Sequence, residues 1–217
     1  MKILYSAFYG TDGYPFHELA ERVVSVRNPS QEMVEKDAAL VVWGGADINP
    51  KLYGHPQSRT TWPSEQRDDV EWAAMKRAVE LGIPIIGICR GAQMLCALAG
   101  GYLIQDVTNH AGSGHHVETY DGHILFVNSL HHQMLAIEDT EHELLAWSAP
   151  NRSRHYIYKD DLEWTPPEYF KEPEFVHFPT VKGLAVQWHP EMMAPDALAT
   201  QFVLKEYHER YSKIVSI

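Results

Sequence analysis

Residues 83–101 read IPIIGICRGAQMLCALAGG, an apolar run in which Gly87 and Gly91 flank Cys89 at two residues on either side. A strand that passes straight into a helix forces one residue into a tight, strained turn, and the residues two positions away must be small to avoid collision across it. Gly87-Ile88-Cys89-Arg90-Gly91 has this form. PIIGI (84–88) supplies the strand, and the run after Arg90 supplies the helix. A thiol in that corner faces the positive end of the helix dipole, which favours thiolate, and the N–H that follows it is available to an oxyanion. A lone cysteine in an apolar run is ordinarily a small buried hydrophobe, and Cys96, between Leu95 and Ala97, is expected to be one.

The surrounding pattern is α/β. KILYSAF (2–8) and AALVVW (38–43) are apolar runs without in-out alternation, as strands buried on both faces require. FHELAERVVSV (16–26) is expected to be helical, with Leu19, Val23 and Val26 on one stripe. In SEQRDDVEWAAMKRAVELG (64–82) Ser64 offers an N-cap and Gly82 a left-handed C-terminal residue, with Val70, Ala73, Ala74, Arg77, Ala78 and Leu81 at helical spacing. The order β-α-β-α-β predicts a mainly parallel central sheet flanked by helices. Beyond Gly101 the pattern is short and turn-rich, predicting shorter strands, some antiparallel, in LIQDV, ILFVNSLHHQ and HELLAWS. Residues 150–173, which contain WTPPEYF, predict an ordered insertion, since Trp and Tyr are poor choices for a solvated tether. EFVHF (174–178), the strand GLAVQW (183–188) and a helix from about Pro195 to Tyr211 complete a single domain, 1–217.

Composition bounds the function. With 217 residues, 45% of them apolar, the chain can bury a proper core. Its net charge is −11 and its basic residues are scattered, which argues against direct nucleic-acid binding. No window reaches the ~18 apolar residues of a membrane span. The start, MKILYSAFYG, lacks the pattern of a signal peptide. The two cysteines would stand ~10 Å apart on a helix, too far for a disulfide, so a reduced, cytoplasmic protein is expected.

A thiol nucleophile needs a base, and the base an orienting group. AVQWHPEMM supplies both at the end of an apolar strand: His189 to move the proton and Glu191, two residues on, to fix the imidazole tautomer. The strand ending in Gly44-Gly45 lets backbone approach a ligand and offers a second oxyanion N–H near Gly45. Six histidines (110, 115, 116, 123, 131 and 132) crowd one segment, but no compact His-x3-His pair or cysteine partner repeats there, so no metal is expected. His115 and His116 read as polar positions on an exposed hairpin, and Asp47, Tyr53 and Asp106 as structural supports.

With these pieces in hand the chain resembles the class I glutamine amidotransferase superfamily, and within it the γ-glutamyl hydrolase branch. GGADINPKLYG is similar to that branch's GGxDxxPxxYG, GICRGAQMLCALAGGYLIQDV to its GICRGxQxLNVxxGGxLxQDI, and VNSLHHQ to its VNSxHHQ. Cys96 stands where the branch often has Asn. The likeness covers roughly residues 38–191. It implies a flavodoxin-like α/β fold, Cys89 as nucleophile, His189 as general base and acid, Glu191 as orienting carboxylate, and Gly45 and Arg90 as backbone oxyanion donors. Gln93, Ser129, His131 and His132 are implied to line the pocket of a small γ-glutamyl substrate. The implied reaction is acyl transfer through a γ-glutamyl thioester, with no cofactor. A synthetase partner receiving ammonia is the alternative, and a homodimer is compatible with either.

Overall fold

The computed structural model describes residues 1–8, 12–112 and 114–212. Among these, one sheet has the strand order β2-β1-β3-β4-β13-β12-β10-β7-β8. Its parallel half comprises β2 (Arg22–Val26), β1 (Ile3–Ala7), β3 (Ala38–Val42), β4 (Ile85–Ile88) and β13 (Gly183–Val186). An antiparallel half continues it through β12 (Pro173–Phe178), β10 (Glu143–Ser148), β7 (His115–Thr119) and β8 (Ile124–Val127). Two small ribbons pair β5 (Tyr102–Ile104) with β9 (Met134–Ala136) and β6 (Asp106–Val107) with β11 (Tyr156–Ile157).

Successive strand side chains enter different cores. Ile3, Tyr5, Leu40, Val42 and Ile85 meet the inner faces of α2 (Glu65–Leu81) and α3 (Arg90–Leu98). Leu4, Val41, Ile86, Ile88 and Val186 meet α4 (Leu198–Tyr211) on the opposite face. The strands therefore need no polar face, which is why their sequences read as continuous apolar runs. α2 begins at Ser64, whose carbonyl accepts the Arg67 and Asp68 N–H groups, although its hydroxyl makes no capping bond. It ends at Gly82 with φ 69°.

Two expectations are corrected. FHELAERVVSV is not a helix: a short 3-10 turn covers Phe16–Leu19, and Arg22–Val26 is the edge strand β2, paired in parallel with β1. The β-branched valines of RVVSV fill a pleated surface better than a helical one. The chain then turns through a four-residue helix, α1 (Pro29–Glu32), into β3. On α2 the buried face is Arg67, Asp68, Glu71, Ala74, Met75 and Ala78, whereas Val70, Arg77 and Leu81 are only half-buried and Ala73 is exposed. The insertion is ordered as expected: Trp164 and Phe170 pack edge-on against Tyr156 and one another.

Candidate active site

β3, β4 and β13 are adjacent and parallel, so their carboxyl ends emerge side by side; Val42 pairs with Gly87, and Ile88 with Val186. Trp43-Gly44-Gly45 leaves the first, Cys89 the second and His189 the third. Cys89 has φ 50° and ψ −105°, a strained conformation for a residue with a side chain, and it heads α3. The flanking glycines are required by contact. A Cβ on Gly87 would lie 2.4 Å from the Gly91 carbonyl oxygen, and one on Gly91 would lie 2.0 Å from that of Val42.

His189 is held at both ends. Its Nδ1 lies 2.6 Å from Glu191 Oε1, while Asn128 grips its backbone, accepting from the N–H at 2.7 Å and donating to the carbonyl at 2.9 Å. Burial alone would depress the imidazole pKa, but hydrogen bonding to Cys89 and Glu191 outweighs it and pushes the value up to about 10. Gly44 lets the β3 end come close to this pair: a Cβ there would fall 2.5 Å from His189 Cε1 and 3.4 Å from Cys89 Cβ. Trp43, Gly44, Gly45, Cys89, Leu130, His189, Glu191 and Met192 enclose a cavity of about 390 Å³. Cavities of about 850 Å³ at the amino ends of β3 and β4, and of about 420 Å³ beneath the insertion, contain no cysteine.

A buried ionic cluster braces the site from behind. Arg90, fully buried, bonds Asp68 and Glu71 of α2, and Arg67 Nε lies 2.7 Å from Glu71 Oε1. Arg67 also donates to the Trp43 carbonyl at 2.8 Å. A Cβ on Gly45, whose φ is 148°, would meet this guanidinium at 2.0 Å. Two cations against two carboxylates satisfy the charge balance that burial demands. Three of these charges stand on α2 and the fourth, Arg90, heads α3, so the cluster connects the Cys89 corner to the Gly44-Gly45 loop.

The remaining sequence-derived residues lie elsewhere. Gln93 directs its amide to the Gln133 carbonyl at 3.4 Å. Ser129 is buried and donates to the His110 carbonyl. His131 is buried with Nδ1 2.9 Å from the Gln133 carbonyl. His132 bridges Asp47 at 3.1 Å and Asp106 at 3.0 Å, which ties down the loop after Gly45. None of the four lines the Cys89 cavity; from that segment only Leu130 does. Ser129 and His131 turn to buried partners on either side of the exposed Leu130, and Asp47 and Asp106 hold His132. His115, expected on an exposed hairpin, is buried at the head of β7, while His116 is exposed. Asn128 was missed, although it stands inside the quoted VNSLHHQ.

The chain is similar to known proteins in sequence and in fold. The peptidase C26 family model matches residues 23–126. The glutamine amidotransferase-like protein YvdE of Lactococcus lactis subsp. lactis is 30% identical over 201 residues, covering 81% of this chain and 77% of that protein. Protein NtpR of Enterococcus hirae is 28% identical over 212 residues, covering 86% and 79%. In fold the chain is similar to a glutamine amidotransferase from Thermotoga maritima, with a TM-score of 0.59, 15% identity, and coverage of 96% and 83%. It is also similar to the glutaminase domain of Trypanosoma brucei CTPS, with a TM-score of 0.56, 15% identity, and coverage of 95% and 92%. A cysteine corner, a parallel sheet that delivers a histidine to it, and a relative of this identity along most of its length together mean that the chain belongs to the peptidase C26, class I glutamine amidotransferase-like family.

Proposed function

We propose that the chain is one catalytic domain that hydrolyses a γ-glutamyl amide bond through a thioester on Cys89. The observation that carries this reading is the meeting, in one cavity, of a cysteine held at φ 50° with an imidazole oriented by a carboxylate at 2.6 Å. The raised pKa of His189, sustained by Cys89 and Glu191, supports a resting imidazolium, and the attacking species is the Cys89 thiolate whose proton that imidazolium holds. Sγ attacks the γ-carbonyl carbon, and the carbonyl electrons move to oxygen, where the N–H groups of Arg90 and Gly45 receive the charge. The intermediate collapses as the C–N bond breaks, and the imidazolium gives its proton to the departing amine or ammonia. A water then gives a proton to His189 and its oxygen attacks the thioester; the C–S bond breaks, releasing glutamate and restoring the thiolate–imidazolium pair. Glu191 keeps the Nε2 face of the imidazole turned inward throughout.

The second reading is a glutaminase subunit that passes ammonia to a synthetase. It is favoured by a further similarity: the small chain of carbamoyl phosphate synthase of Salmonella typhi is 26% identical over 133 residues, although this chain spans only 35% of that protein. A panel of γ-glutamyl amines and free glutamine, assayed with wild type and Cys89→Ala, separates the two. Hydrolysis by the isolated chain of at least one γ-glutamyl amine, lost in Cys89→Ala, is expected. Activity confined to glutamine and dependent on an added protein would favour the subunit. Alkylation should mark Cys89 well before Cys96, which is fully buried with its thiol pKa pushed far up by burial. Equal labelling of the two would refute an activated nucleophile.

A further inference from the structure

A second cluster of ionisable side chains lies outside the Cys89 cavity. His110 and His131 flank the short bridge between Ala111 and Leu130, His115 opens β7, and Glu174 stands on β12. All four are buried. Three ring nitrogens converge on one oxygen, Glu174 Oε1: His115 Nε2 at 2.9 Å, His110 Nδ1 at 3.1 Å and His131 Nε2 at 3.5 Å.

Their other partners decide what those nitrogens carry. His131 Nδ1 lies 2.9 Å from the Gln133 carbonyl, which only accepts, so Nδ1 holds the proton and Nε2 of the neutral ring is a bare lone pair. His110 Nε2 lies 3.0 Å from the Glu172 carboxylate, so its Nδ1 is likewise bare. Two lone pairs then face a carboxylate oxygen, an arrangement that repels unless a positive charge stands between them. Among the described residues His110 Nδ1, His131 Nε2 and Glu174 Oε2 have no hydrogen-bond partner. With the three imidazoles neutral, the two carboxylates leave two negative charges in a buried interior; they push the His110 pKa up to about 9, so a proton there would offset one charge, whereas one divalent cation would cancel both.

We propose that His110, His115, His131 and Glu174 bind a divalent metal, zinc by the chemistry of the set. Donors at 2.0–2.2 Å around a tetrahedral zinc stand roughly 3.4 Å apart; the nitrogen–oxygen separations here are 2.9, 3.1 and 3.5 Å, and the donors of His110, His115 and Glu174 lie within 4.8 Å of one another. Three imidazoles and a carboxylate are borderline donors suited to that ion. The Glu172–His110 pair and the Gln133 carbonyl–His131 pair supply the outer hydrogen bonds that fix the tautomer of a metal-bound histidine. Four buried protein donors leave no open position, so the ion is structural. It would pin the segment from Asn128 to His131 to β7 and β12. Because Asn128 grips the His189 backbone, the metal would also steady the imidazole beside Cys89. Three of these ligands belong to the histidine-crowded segment, where the lack of a compact His-x3-His pair argued against a metal, and the fourth, Glu174, comes from β12.

The test is the metal content of the full chain, expressed with zinc supplementation and freed of loosely held ions. About one zinc per chain is expected, retained in the Cys89→Ser/His189→Ala double variant and reduced at least about tenfold in Glu174→Gln. If Glu174→Gln does not fold, wild type stripped by a strong chelator should melt earlier and take up cobalt with the visible bands of a tetrahedral site. A wild type that carries under about a tenth of an equivalent and takes up neither zinc nor cobalt would overturn the proposal, leaving protons to neutralise the cluster. Loss of zinc in the double variant would overturn it too, by locating the ion at the thiol.

Discussion

Replacing Gly91 by alanine puts a methyl group where the backbone of β3 already runs. The new Cβ would lie 2.0 Å from the Val42 carbonyl oxygen and 2.7 Å from its carbon, whereas such contacts are not tolerated below 3.0 Å. α3 and β3 must therefore part by about 1 Å, in an interior packed as densely as an organic crystal. Neither has room to retreat, since Arg90–Ala97 is buried throughout and β3 is hydrogen-bonded on both sides. Overpacking of this kind costs about 1–3 kcal/mol. For a chain of this length that lowers the melting temperature by about 2–12 °C. The larger effect falls on chemistry. Val42 leads directly into Trp43-Gly44-Gly45 and α3 carries Cys89 at its head, so the separation widens the gap between thiol and oxyanion loop. A displacement of that size reduces kcat/KM by about 10²-fold. Thermal melting, and hydrolysis of a γ-glutamyl amide measured well below the melting point, read the two effects separately. A Gly91→Ala protein that melts with wild type and keeps its rate would show that the close approach of α3 to β3 does not build the site.

Three further outcomes are expected. Glu191→Gln should lower kcat by about 10²–10⁴ with little change in KM, because the imidazole loses the carboxylate that orients it and stabilises its charge; a KM effect alone would contradict the orienting role. His189 has its folded pKa raised from 6.5 to about 10, so the stability it confers is present in full below pH 6.5 and is lost as pH rises toward 10. The stability gap between wild type and His189→Ala, from denaturant titrations, should accordingly shrink across that window, and a gap that widened would reverse the assignment. Glu71→Ala leaves two buried guanidiniums against the single carboxylate of Asp68 and should cost about 3–5 kcal/mol in the same titration; a loss under about 1 kcal/mol would mean that water enters the cluster.

The corner at Cys89 was legible because its cause is local: two glycines at fixed offsets from one residue, between an apolar strand and a helical run. The His189–Glu191 pair was legible for the same reason. The strand at Arg22–Val26 was misread because Leu19, Val23 and Val26 satisfy helical spacing while their neighbours favour extended chain, and pairing with β1 settled the competition. Arg67, Asp68 and Glu71 look like a solvated helix face in sequence; only the approach of Arg90 makes them an interior. Ser129, His131 and His132 were placed by their segment alone. A motif marks a segment, but the partners each side chain finds decide which residue faces the cavity, and here that is Leu130.

Cys89, the Gly44-Gly45 loop and His189 spring from three neighbouring strands whose backbones are hydrogen-bonded to one another. Their relative positions are thus set by the shared backbone ladder of the sheet, and none of the three stands on the long insertion. Chains of this architecture can exchange, lengthen or delete that insertion without moving the three strand ends apart.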